Sequence, residues 1–321
     1  MAAVQLGRFK RLVAFGDSNV DDGRKSGADE EGFLTFSNGP TWVHYLALLN
    51  GESIRDIYGW DANWTFGCYL QASMSRATGR GVERCRLASG SRRRRAYSRG
   101  AHKGVDSSST LYAFGVGAND VGSAVFLAVR QHLLETGSAE INSLADAFRG
   151  LTGKNVDAKR LAELTLQQTR LALANFRGNF TMALKLLVER ARARHFLLME
   201  PLDPSSLPLF AGSSAQAGVL RSTLTAITQQ LNEQLAALVR DLQVAFPTVT
   251  VTVVSEGDAR ALLASEVVEL SERRRTLLEA RDTLRSPHEL DRFLYYDDLH
   301  FTTRAHEALA VLATCSLAPE S

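Results

Sequence analysis

Short apolar runs alternate along this chain with longer stretches whose apolar residues recur every three or four positions. The runs Arg11 to Phe15, Leu111 to Val116, His195 to Met199 and Thr248 to Val254 have the length and side-chain types of buried strands. Helical spacing is clearest from Val156 to Arg194, where Leu161, Leu164, Leu171, Phe180, Leu184 and Leu187 share one stripe, in one or two helices. Further helices are expected over Thr41 to Leu49, Val121 to Leu134, Gln216 to Phe246, Ala259 to Arg285 and Thr302 to Leu317. Pro40 suits the first of these, because a helix's first turn has no use for the missing N–H. The aromatic stretch Gly51 to Tyr69 has no clear period and is expected to be irregular. Strands alternating with helices predict an α/β fold, with a mostly parallel central sheet covered by helices on both faces. In such sheets a site forms at the carboxyl ends of strands.

Two corners of that kind stand out. Leu12 to Phe15 stops at Gly16, and Asp17 and Ser18 follow at once. Leu111 to Val116 stops at Gly117-Ala-Asn-Asp120. A serine at the first corner could be an N-cap, or a nucleophile beside the orphan N–H donors of a first helical turn. A third polar stretch, Tyr295-Tyr-Asp-Asp-Leu-His300, precedes the last helix. A serine hydroxyl needs a base near neutral pH, and histidine is the usual one, held in its tautomer by a carboxylate. Asp297 and His300 are spaced so that a short turn folds carboxylate onto imidazole, and Asp298 competes for that role. Of the other six histidines, His44 and His306 read as helix-face residues and His102 and His288 as loop residues, and nothing singles out His132 or His195.

Composition changes the picture in one segment. The 321 residues are 45% hydrophobic, enough for one large domain or two smaller ones. Of 37 Lys and Arg and 35 Asp and Glu, ten basic residues and one acidic lie between Arg76 and Lys103. The rest of the chain is therefore acidic, with 27 basic against 34 acidic residues. Residues 71–109 lack a helical or strand period and read as a solvated loop or as a patch for an anionic partner. With only Tyr97 as an interleaved aromatic, the patch is poorly suited to stacking nucleic acid bases. Cys68, Cys85 and Cys315 are odd in number and match no zinc spacing. No phosphate-binding loop or dinucleotide fingerprint occurs, so neither metal nor nucleotide cofactor is expected. Met1 to Phe9 lacks a signal-peptide core and no run reaches transmembrane length, so the chain as written reads as cytoplasmic, or as secreted if a leader has been removed.

Taken together, Phe15-Gly-Asp-Ser-x-x-Asp-x-Gly23, Gly117-x-Asn-Asp120 and Asp297-x-x-His300, in that order, resemble the GDSL branch of the SGNH hydrolases. Phe36-Ser-Asn-Gly-Pro-Thr-Trp42 and Glu200-Pro-Leu-Asp-Pro204 resemble further segments of that family, so the likeness runs through most of the chain. The resemblance implies a single three-layer α/β/α domain over residues 1–321 and a serine esterase acting on short-chain acyl, acetylated carbohydrate or lipid esters. It implies Ser18 as nucleophile, His300 as general base and acid, and Asp297 as the carboxylate. The implied oxyanion hole takes the Ser18 N–H, the Asn119 amide and a glycine N–H of the family's second block. Asp17, Asp21, Gly117 and Asp120 become supporting residues, Asp120 as a cap of the following helix. The second block departs from the family: its best match is Leu87-Ala-Ser-Gly90, inside the Arg-rich segment, with Gly79, Gly81 and Gly100 as weaker candidates. The segment reads either as a lineage-specific insertion or as a stretch shifted out of its native reading frame. Phe301 also stands where the family often has proline. The competing expectation is a catalytically weak protein of this fold that binds anions through the basic loop.

Overall fold

The computed structural model describes residues 9–20, 36–49, 57–59, 107–137, 157–211, 215–284 and 286–318. Among the described residues, five strands form one parallel sheet: β1 (Arg11–Gly16), β2 (Ile57–Gly59), β3 (Thr110–Gly115), β4 (His195–Met199) and β5 (Thr250–Val254). Their order is β2-β1-β3-β4-β5. β1 and β3 run in full register, from Arg11 beside Thr110 to Gly16 beside Gly115. Four strands follow the apolar runs. The edge strand β2 instead lies within Gly51 to Tyr69, expected to be irregular. At three residues it is too short to carry a period, and its pairing to Leu12, Val13 and Ala14 defines it.

Among the described residues, six helices of eight residues or more cover the sheet. α1 (Trp42–Leu49), α2 (Ala118–Glu135), α3 (Ala158–Ala191), α4 (Ala215–Ala245), α5 (Glu256–Ala264) and α6 (Thr303–Leu317) divide into two groups by contact. α2, α3 and α4 touch one another, while α6 touches α1 and α5. The result is a three-layer α/β/α arrangement, as the strand–helix alternation predicts. The 34 residues of α3 form one helix, begun by the Asp157 carboxylate accepting the Arg160 N–H at 3.0 Å. Its buried stripe sets Phe176 and Phe180 against the sheet, where Phe180 meets the edge of Phe114 at 5.2 Å. Phe114 in turn stacks on Phe15 of the neighbouring strand at 4.8 Å. The paired strands β1 and β3 thus sit at the centre of the core.

The helix expected over Ala259 to Arg285 is broken. Only α5 and the single turn Leu277–Ala280 are α-helical there. Between them Glu269 takes a left-handed backbone, and Glu272 exchanges backbone hydrogen bonds with Arg292 and Leu294. The physical cause is local: Thr276 and Glu279 form a capping box, which requires Thr276 to be extended and starts a new helix there.

From β1 the chain moves outward to β2 on one side, and from β3 through β4 to β5 on the other. The carboxyl ends of β1 and β3 therefore flank the point where strand order reverses, the expected place for a site in an open α/β sheet.

Candidate active site

β1 ends at Gly16, and the chain turns immediately into the single 3-10 turn Ser18–Val20. Gly16 makes that turn possible. A Cβ there would run into the Val20 side chain and come within 2.6 Å of the Gly115 carbonyl. Asp17 anchors the corner: its N–H donates to the Gly115 carbonyl at 3.2 Å, and its carbonyl accepts the Val20 N–H at 2.9 Å. Its carboxylate accepts the Asn19 N–H at 3.0 Å and the Asn19 amide at 3.2 Å. Asp17 is buried, and burial pushes its carboxyl above the ordinary value although the Asn19 donors and the His300 charge pull it down.

The partner corner comes from the far end of the chain. Residues 293–302 fold back on themselves: Tyr296 N–H donates to the His300 carbonyl at 2.8 Å, and Thr302 N–H to the Leu294 carbonyl at 3.1 Å. At the tip, the Asp297 Oδ1 accepts the N–H groups of Leu299 and His300, each at 2.8 Å. This aspartate turn aims the carboxylate at its neighbour's ring. Both Asp297 oxygens lie 2.8 Å from His300 Nδ1. Burial would raise the Asp297 pKa, but the His300 hydrogen bond, the His300 charge and the two N–H donors outweigh it and hold it below the usual value. It is Asp297 that takes this place; the Asp298 carbonyl accepts the Leu209 N–H at 3.2 Å.

The other ring nitrogen, His300 Nε2, lies 2.9 Å from Ser18 Oγ. With a carboxylate at Nδ1 the ring proton belongs there, and the Nε2 lone pair faces the serine hydroxyl. Ser18 and His300 stand 282 positions apart in sequence. They meet because α6 packs along α1, which sets the turn before α6 over the end of β1. The arrangement provides a hydroxyl, a base on it and a carboxylate behind the base, which is the relation that activates a nucleophile.

Gly117 and Asn119 lie at the end of β3, beside this corner. Gly117 takes φ 111°, and a Cβ there would come within 2.7 Å of Pro201 and 2.8 Å of Leu231. It, and not Asp120, is the N-cap of α2, which starts three residues earlier than expected. Asp120 is buried in the first turn, where the helix dipole favours a negative charge. Asn119 is half-buried on the same turn. Asp21, Gly90 and the weaker glycine candidates Gly79, Gly81 and Gly100 lie outside the described residues, as does the Arg-rich segment up to residue 106.

Sequence reasoning gave no role to the segment 36–40. Phe36 sets its ring against His300, with centroids 4.9 Å apart and planes at 44°. Asn38 Oδ1 accepts the Thr303 N–H at 2.8 Å, and the Pro40 carbonyl accepts the Thr303 hydroxyl at 2.9 Å. Residues 37–40, Ser-Asn-Gly-Pro, carry a turn signal, but nothing local tells that they dock on α6.

A parallel α/β sheet with a serine, a histidine and a carboxylate joined at the reversal of strand order defines a class of hydrolase folds. The chain belongs to the GDSL-like lipase/acylhydrolase family, whose model matches residues 12–312, and so to the SGNH hydrolase superfamily. That membership supports hydrolase activity of the esterase and lipase kind, on small-molecule esters. No curated protein matches the chain. Among the described residues, no helix is long and apolar enough to cross a membrane.

Proposed function

We propose that this protein is a serine esterase that hydrolyses carboxylic esters through an acyl-enzyme. The observation that carries the proposal is the 2.9 Å approach of Ser18 Oγ to His300 Nε2, with Asp297 at the opposite nitrogen. Ser18 Oγ attacks the ester carbonyl while its proton passes to His300 Nε2. The resulting imidazolium is stabilised by Asp297, whose carboxyl pKa is held below the ordinary value by the His300 hydrogen bond and charge and two N–H donors. The carbonyl oxygen gains a full negative charge. The Ser18 N–H, an orphan donor at the start of its 3-10 turn, and the Asn119 amide in the first turn of α2, just past the adjoining strand, are the donors assigned to it. A glycine N–H of the second block, with Gly90 as candidate, completes the set. Collapse of the tetrahedral intermediate breaks the ester C–O bond, and the His300 proton goes to the departing alcohol. Water then attacks the acyl group on Ser18, giving its proton to His300, and the serine leaves with that proton as the acid is released. Short acyl esters, acetylated carbohydrates and lipid esters are the substrate classes in view.

The test is Ser18→Ala, assayed with p-nitrophenyl acetate and a fluorophosphonate probe. Nucleophile loss should reduce kcat by about 10⁴-fold or more, without lowering the unfolding temperature. The probe should mark Ser18 in the wild type and nothing in the variant. Undiminished turnover by Ser18→Ala, or labelling that maps elsewhere, would remove Ser18 from the mechanism.

A further inference from the structure

Resting on the assignment of His300 as the base, we infer that Phe36 is a positioning residue, which lies against the imidazole and keeps its two nitrogens aligned with Asp297 and Ser18. The hydrogen bonds at Nδ1 and Nε2 lie in the plane of the ring. They fix it along that plane but tolerate a tilt of some tens of degrees before they weaken steeply. A tilt of the ring is resisted only by what lies against its face. The Phe36 ring meets the imidazole in a tilted contact, at 4.9 Å between centroids and 44° between planes, so its atoms lie in the way of such a tilt. Aromatic rings in this range attract one another, and the attraction grows when one becomes a cation, since a positive charge within about 6 Å of a ring centroid is drawn to its face. Phe36 therefore acts on the imidazole in both of its protonation states.

The contact is held by a closed circuit. Phe36 belongs to the segment that Asn38 and Pro40 tie to Thr303, and Tyr45 on α1 reaches the same threonine hydroxyl at 2.8 Å. Thr303 opens α6, three residues beyond His300. Its N–H is one of the orphan donors of that helix, and Asn38, 265 positions away, satisfies it. One helix start thus fixes both the histidine and the ring that leans on it. A segment that served merely to fill space would have no need to share that anchor.

The experiment compares Phe36→Ala, Phe36→Leu and Phe36→Tyr with the wild type on p-nitrophenyl acetate and p-nitrophenyl butyrate. A base displaced by a fraction of an ångström should lower kcat about ten- to a hundredfold in Phe36→Ala, with KM changed less than about twofold. The loss should be equal for both esters, and Phe36→Tyr should restore most of it. Fluorophosphonate labelling of Ser18 should slow in proportion. Phe36→Leu keeps the bulk and reports on the same quantities if Phe36→Ala does not fold. The inference is overturned if kcat stays at the wild-type value. It is equally overturned if KM rises and the rise depends on acyl length, because Phe36 would then be a wall for the substrate. A wild type in which the probe never marks Ser18 overturns the esterase reading itself. A labelled Ser18 with undisturbed Phe36 variants overturns only the inference.

Discussion

His300 and His306 stand six residues apart, one in the turn before α6 and one in its first turn, and their surroundings are opposite. The His300 side chain is 13% exposed and both ring nitrogens meet a partner, Asp297 at Nδ1 and Ser18 at Nε2. His306 is fully buried, and among the described residues neither of its nitrogens has a hydrogen-bond partner. Burial first, and then the charges of His300 and His44, push the His306 pKa down to about 3. The same side chain is thus hydrogen-bonded at both ring nitrogens in one place and kept neutral by burial in the other. Partners make the difference: a carboxylate and a hydroxyl meet the two nitrogens of His300, whereas His306 meets an apolar wall such as the Phe301 edge at 6.3 Å.

The largest test of this difference replaces each ring in turn. His300→Ala should cost about 10⁴-fold or more in kcat for p-nitrophenyl acetate, whereas His306→Leu should stay within about threefold of the wild type. A comparable loss in both variants would show that the two rings act as one unit and would sink the contrast drawn here. Asp297→Asn comes next. The amide still accepts from Nδ1–H but carries no charge for the imidazolium, and a loss of about 10²–10⁴ in kcat is expected. Its second readout is acid stability. A carboxylate with a depressed folded pKa adds stability that is present above its unfolded value and lost as pH falls through the folded one. Asp297→Asn should therefore be less stable than the wild type at pH 7, and the gap should begin to close only below about pH 4, vanishing below the depressed folded pKa. Parallel stability curves would mean that the charge of Asp297 is not what the fold holds.

How far this site can be read from sequence follows from what is local. The Asp297-x-x-His300 spacing is read directly, because an aspartate turn of three residues fixes its own geometry. The strand ends at Gly16 and Gly117 are equally local, and each glycine is explained by a close contact that a Cβ would violate. The Thr276–Glu279 capping box that breaks the predicted helix is also a sequence signal, obscured by the charge-rich run around it. What the sequence hides is partnership across the sheet. Ser18 and His300 are brought together by tertiary packing, chiefly that of α1 on α6, and family resemblance rather than spacing pairs them. Phe36 and Asn38 have no local mark of their role, since their partners lie more than 260 positions away. His306 reads like any residue of an amphipathic helix; that both of its nitrogens are buried without partners is a fact of tertiary packing alone.

The smallest effect concerns stability and isolates His306. Its folded pKa, about 3, lies below the ordinary value of 6.5. The folded chain therefore refuses a proton that the unfolded chain accepts. The stability tied to this ring is complete above pH 6.5 and drains away as pH falls toward 3. Between pH 7 and pH 4.5 the drain amounts to about 2–3 kcal/mol. His306→Leu has a similar volume and nothing to protonate, so that loss should disappear from its urea unfolding curves. At pH 7 the variant should equal the wild type or exceed it by about 1 kcal/mol, because two buried unsatisfied nitrogens are removed. The measurement is the difference in unfolding free energy between pH 7 and pH 4.5 for both proteins. Equal differences would mean that His306 finds a proton partner in the folded state, and the contrast with His300 would then be one of position and not of protonation.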